Sequence, residues 1–147
     1  IMGIEKGSMG KPGLLSGVIY YGPQSHMGDI EKNTNEGIFG TVNQQFKKQI
    51  SGEPMEIACR QDVKQGPAYI RSNIEIQKVD YNSGHKNKSM VIKVTDPELL
   101  ELTGGIVQGM SGSPIIQDGK LAGAVTHVFV QDASRGYGIL IENMMEH

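Results

Sequence analysis

The chain has a single cysteine, Cys59, so no internal disulfide forms and no cysteine cluster holds a metal. No run approaches the roughly 20 apolar residues of a membrane-spanning helix, and no signal peptide is visible. Charge of one sign is also missing. Fourteen basic against sixteen acidic residues leave a net charge of −2, which argues against nucleic acid, a partner that selects a basic face. The glycines follow no Gly-X-Y period, which excludes collagen.

Glycine is what the chain has in excess. Twenty in 147 residues is about twice the usual share of roughly 7%. Apolar residues make up 37%, too many for that glycine to mean disorder. Glycine-rich, evenly punctuated and still apolar describes a domain of many short strands joined by tight turns. The length suits one domain or a compact pair of small barrels. The first residue is Ile1 rather than methionine, so the chain is expected to be part of a longer protein.

Alternation and turn residues place the strands. Leu14 to Tyr21 closes at Gly22-Pro23, and Ile38 to Val42 is a short run. From Pro54 to Arg60, Met55, Ile57 and Cys59 alternate with Glu56, Ala58 and Arg60, which points Cys59 into a core as a small hydrophobe. Between Ala68 and Val79, Ile70, Ile74 and Ile76 share one parity; Met90, Ile92 and Val94 share another face. Tyr81 to Ser89 reads as a hairpin loop. After Asp96-Pro97 a short helix runs from Glu98 to Leu102 and stops at Gly104-Gly105. Pro114 to Gln117 and Leu121 to Val130 form a hairpin about Asp118-Gly119, a pair suited to a two-residue turn with positive φ at both positions. Tyr137 to Ile141 is a last strand, and Glu142 to His147 begins a terminal helix. Some eight strands and almost no helix predict an all-β, antiparallel barrel or sandwich.

The segment Gly104-Gly105-Ile106-Val107-Gln108-Gly109-Met110-Ser111-Gly112-Ser113-Pro114 carries the chemistry. As a phosphate loop it fails, because Met110 stands where a lysine must neutralise phosphate and a hairpin replaces the helix. As an α/β-hydrolase elbow it fails, because Ser113 stands where glycine must follow the nucleophile by two. It fits the serine loop of a chymotrypsin-like peptidase. Gly109 allows its own N–H and that of Ser111 to point at one spot, an oxyanion hole, and Gly112 removes bulk beside the nucleophile.

A nucleophilic serine needs a base and an orienting acid, in the chain order His, Asp, Ser for this class. Asp62, Asp80 and Asp96 all lie upstream and are open to the acid's role; each also suits a turn or a helix cap. His26 and His85 lie upstream in polar loops. His127 sits in the strand that walls the serine, placed either as a half-buried strand residue or as a contact to substrate. His147 is terminal.

Gly105 to Ile116 resembles the stage IV sporulation protein B peptidases, and so do Gly119 to Val130 and Gly136 to Met144. The same likeness runs through Ile4-Glu5-Lys6-Gly7, Gly10-Lys11-Pro12-Gly13, and Gly28 to Thr34 leading to Gly37 to Thr41. The resemblance implies a serine endopeptidase of chymotrypsin-like fold that acts without metal or cofactor. It implies export from the forespore into the space between forespore and mother-cell membranes. A membrane segment and a PDZ domain are expected ahead of the peptidase. The implied substrates are proteins: the enzyme itself and a regulator of a membrane-embedded protease. By position the resemblance assigns the nucleophile to Ser111 and the acid to Asp96. It assigns the histidine to a Gly-His motif with no counterpart here.

The expected organisation is therefore a chymotrypsin-like peptidase domain lacking its N-terminal portion. Residues 1 to 52 would be a remnant of a first barrel and residues 53 to 147 a second barrel. Without the histidine, this polypeptide is expected to be a very poor peptidase. The competing reading is a binding module, a peptidase-like barrel that pairs a peptide against Leu121 to Val130 or Gly136 to Ile141 without cutting it.

Overall fold

The computed structural model describes residues 3–146. Eleven strands follow in chain order: β1 (Gly3–Glu5), β2 (Gly13–Ser16), β3 (Gly28–Thr34), β4 (Gly37–Val42), β5 (Gly66–Tyr69), β6 (Asn73–Val79), β7 (Met90–Val94), β8 (Val107–Gln108), β9 (Pro114–Gln117), β10 (Lys120–Val128) and β11 (Arg135–Leu140). Three short helices join them: α1 (Gln44–Lys47), α2 (Pro97–Thr103) and α3 (Ile141–Met145). The fold is all-β, as the alternation predicts.

Six strands close into an antiparallel barrel in the order β10-β11-β7-β6-β5-β9. The period of two explains how. Ile74 and Ile76 on β6, Ile92 and Val94 on β7, and Ile115 on β9 all turn inward and are 2% exposed or less. Their charged neighbours on the same strands, Glu75 and Lys93, face solvent. The β9–β10 turn is the tight one that Asp118-Gly119 predicts, with φ of 50° and 77° at its two residues. The 1–52 portion contributes a separate β3–β4 hairpin and the antiparallel pair β1–β2. β2 also takes β8 alongside it in parallel, tying the approach to the serine loop to the early chain.

Helix α2 starts and stops where its sequence dictates. Asp96 is its N-cap, its side chain accepting from the N–H groups of Glu98 and Leu99. Gly104, at φ 77°, is its left-handed C-cap and donates to Leu100 O.

Several expectations change. Cys59 is exposed and Ala58 is the buried residue. Residues 54–60 form no continuous strand. They meet β10 at one parallel bridge, Ile57 to Leu121, and then enter a 3-10 turn at Arg60–Asp62, so strand parity does not carry to Cys59. The expected strand from Leu14 to Tyr21 ends at Ser16, and Val18, Ile19, Tyr20 and Tyr21 are exposed. β3 went unpredicted because its sequence, Gly-Asp-Ile-Glu-Lys-Asn-Thr, is polar on both faces, and its burial pattern shows why that is tolerated. Helix α1 is an addition, one turn capped by the Asn43 side chain on Phe46 N–H.

Candidate active site

The serine loop is held from below and from both ends. Its entry is fixed by the N–H of Ile106 donating to Ala133 O at 2.7 Å. Its exit is locked onto β10, where Gly112 N–H donates to Val125 O at 2.8 Å and Val125 N–H donates to Ser113 O at 2.9 Å. Between these points the chain turns twice, with Met110 N–H donating to Val107 O and Ser113 N–H to Met110 O. Met110, the residue that rules out a phosphate loop, folds beneath the turn and packs on the core. Gly109 has φ 104°, and a Cβ there would stand 3.0 Å from the Cβ of Leu15. Both backbone angle and space therefore demand glycine at the residue expected to form half of the oxyanion hole.

This architecture presents Ser111 at the surface. Its Oγ donates to Thr126 O at 2.9 Å. Among the described residues no carbonyl takes the Ser111 N–H, which leaves it available to a developing oxyanion. Thr126 lies at a bulge in the β10–β11 ladder, between Val125 and His127. The bulge aims its carbonyl at the serine, while its Oγ1 donates to Asn87 O at 2.6 Å. No sequence signal marks Thr126, because a bulge exists only once two strands are in register.

Two cavities meet at Ser111. One, of about 420 Å³, lies between Ser111-Gly112 and the β3–β4 turn at Asn35 and Glu36, with Met144 of α3 on its wall. The other, of about 290 Å³, lies on the Gly109 side among Ile106, Val107, Val125 and Val128. His127 borders both. It is exposed and follows directly the residue whose carbonyl holds Ser111 Oγ.

Asp96 is elsewhere. Its Oδ1 accepts from Glu98 and Leu99 N–H at 3.0 and 3.2 Å, and its Oδ2 from Asn73 N–H at 3.5 Å. Asp96 lies two residues past the end of β7, at the start of α2. Among the described residues Asp96 makes no hydrogen bond to Ser111 or to a histidine. Of the other candidate acids, Asp80 accepts from Asn82 N–H in its own turn, and Asp62 lies in the 3-10 turn after Cys59. His26 pairs with Asp29 at 3.3 Å near the open end of the β3–β4 hairpin, whereas it is the closed end that approaches Ser111. His85 opens the 3-10 turn at Lys86–Lys88. His147 lies outside the described residues.

Against this geometry the comparison with protein families is decisive. The family model described as SpoIVB peptidase S55 matches residues 1–145. The chain belongs to the SpoIVB peptidase family. No curated protein and no solved structure matches it. The family is one of serine peptidases, and the chain's closed barrel presents Ser111 at its surface. Among the described residues no cluster of His, Cys, Asp and Glu suited to a metal is found.

Proposed function

We propose that Ser111 is the nucleophile of a self-cleaving endopeptidase in sporulation signalling, with the N–H groups of Gly109 and Ser111 as its oxyanion hole. The observation that carries this reading is the serine loop itself. A glycine-favouring backbone angle at Gly109 precedes an exposed serine whose N–H has no backbone acceptor among the described residues. The loop is pinned to β10 on its far side, so the donors are pre-organised and need no rearrangement as charge develops.

At rest Ser111 Oγ gives its hydrogen to the Thr126 carbonyl, which cannot act as a base. A base must take that hydrogen before attack on a peptide carbonyl. The family resemblance assigns the base to a Gly-His segment without counterpart among these residues, and the cavity between Ser111 and the β3–β4 turn is open to an imidazole from such a segment. The 147-residue polypeptide by itself is accordingly a very weak peptidase. The acid assigned by resemblance, Asp96, is engaged with α2 and Asn73, which supports a positioning role through the helix that leads into the serine loop.

The intact protein carries a membrane segment and a PDZ domain ahead of this region and works between forespore and mother-cell membranes. Its substrates there are itself and a regulator of a membrane-embedded protease. The deciding experiment is Ser111→Ala in the intact protein. Self-cleavage is expected to disappear while the fold is kept. Unchanged processing, with partner binding retained, would instead identify a peptidase-like binding module.

A further inference from the structure

We infer that the exposed stretch from Gly17 to Tyr21 is a self-cleavage site, cut by a second copy of the chain, and that the cut switches the enzyme off. This rests on the peptidase reading above and names one of that enzyme's targets.

A peptidase takes its target as an extended strand, so the target must first leave its own hydrogen bonds and packing. Gly17 to Tyr21 has little to leave. Its backbone makes no hydrogen bond among the described residues. It follows β2 without regular structure, and Val18, Ile19, Tyr20 and Tyr21 are 62% to 89% exposed. Among the described residues the buried apolar core begins only at Ala58, so nothing pulls these four side chains inward. The other long exposed connection, residues 49–57, is pinned. Gln49 and Ile50 N–H donate to Phe46 and Lys47 O, and Glu56 O accepts from Leu121 N–H.

A second copy does the cutting because the stretch borders neither cavity at its own Ser111. Its near end is held beside the serine loop, where Leu15 stands against Gly109 and β2 pairs with β8. In the reaction Ser111 Oγ of one copy adds to the target carbonyl of the other. The histidine supplied upstream carries the serine proton to the departing amine, and water then hydrolyses the ester. One peptide C–N bond breaks and one water is consumed, leaving a carboxylate on the β2 side and an amine on the β3 side.

The place of the cut gives its consequence. β1 and β2 stay with the upstream chain that brings the base, whereas β3 to β11 stay with Ser111. The strand pairing that then joins the two pieces is β2–β8, in register at Gly13–Val107 and Leu14–Gln108, with Gly7 N–H on Thr103 O beside it. Base and nucleophile lose the high effective concentration that one continuous chain gives them, so activity falls as the cut accumulates.

The test mixes active intact protein with an excess of its Ser111→Ala form, and mass spectrometry reads the new ends. A cut between Gly17 and Gly22 is expected, faster at higher enzyme concentration. Ile19→Pro with Tyr20→Pro fixes two backbone angles and removes two N–H donors in an exposed stretch. Placed in the Ser111→Ala form, the pair should slow this cut by roughly tenfold or more. In the active protein, labelling of Ser111 by a fluorophosphonate should fall as the fragment appears, and should persist when the two prolines are present. Cuts only at other places overturn the site and leave the peptidase reading standing. Labelling that falls equally with the prolines present overturns the switch. An active form that neither cuts the Ser111→Ala protein nor takes the label overturns the peptidase reading, and the site with it.

Discussion

Asp96 illustrates how one residue type serves two chemistries. An aspartate before Pro97 and ahead of an apolar turn is a helix cap by its local sequence, and its bonds to Glu98 and Leu99 N–H are those of a cap. Asp96→Ala should lose about 1 kcal/mol of folding stability, read by denaturant unfolding. Asp96→Asn keeps an acceptor oxygen and should unfold close to the parent. The capping geometry predicts that self-cleavage of the intact protein survives Asp96→Asn. A stably folded Asp96→Asn that no longer cleaves itself would give the residue the acid's role after all, since loss of that charge from a triad typically costs about 10⁴ in kcat. The turn through Gly109 and Ser111 was legible in the sequence, because an exposed serine two residues after a glycine at positive φ is a local pattern. Thr126 was not, because its carbonyl meets Ser111 Oγ across fifteen residues of sequence.

Among the elements, the hairpin β9–β10 was read almost to the residue. Both its central residues adopt positive φ, and a Cβ on Gly119 would touch nothing within 4 Å. Gly119→Ala therefore isolates backbone strain from packing, and about 1 kcal/mol of destabilisation is expected in thermal or denaturant unfolding. Strands β6 and β7 were equally plain, since one face of each is continuously apolar and ends up in the barrel. The hairpin β3–β4 was legible only in part. β4 shows apolar residues, but β3 is an exposed polar strand whose identity comes from its partner, pairing from Gly28–Val42 to Thr34–Gly37. Residues 54–60 alternate convincingly and still form no strand, because a single bridge to Leu121 is all the ladder they meet.

At the scale of the whole molecule, ion pairs fasten α3 to distant loops. Arg60 reaches Glu142 and Glu146, and Lys86 reaches Glu146. Lys86 first and then Arg60 hold the Glu146 carboxyl below its usual range through hydrogen bonds. A carboxyl depressed in the folded state contributes stability above its unfolded pKa and loses it as pH falls through the folded one. Acidification below the ordinary carboxylate range should therefore loosen α3, whose Met144 lines the larger cavity. The pair Lys120–Glu56 has the opposite sign. Glu56 raises the lysine, so its contribution is full at neutral pH and disappears as pH climbs through the raised value. Hydrogen exchange of α3 at pH 3 and pH 6, with and without added salt, checks the first. The effect should be small and salt-sensitive, because these groups are exposed.

The sequence by itself determined the fold class, the barrel strands with apolar inner faces, the α2 caps, the β9–β10 turn and the loop around Ser111. Each depends on neighbours within a few residues, where side-chain period and backbone angle leave little choice. Tertiary structure alone decided that Cys59 faces out, that Thr126 holds the serine, that Asp96 also takes the Asn73 N–H, and that two cavities of different lining meet at Ser111. Those outcomes depend on strand register and on which walls close around a space, quantities that no local pattern contains.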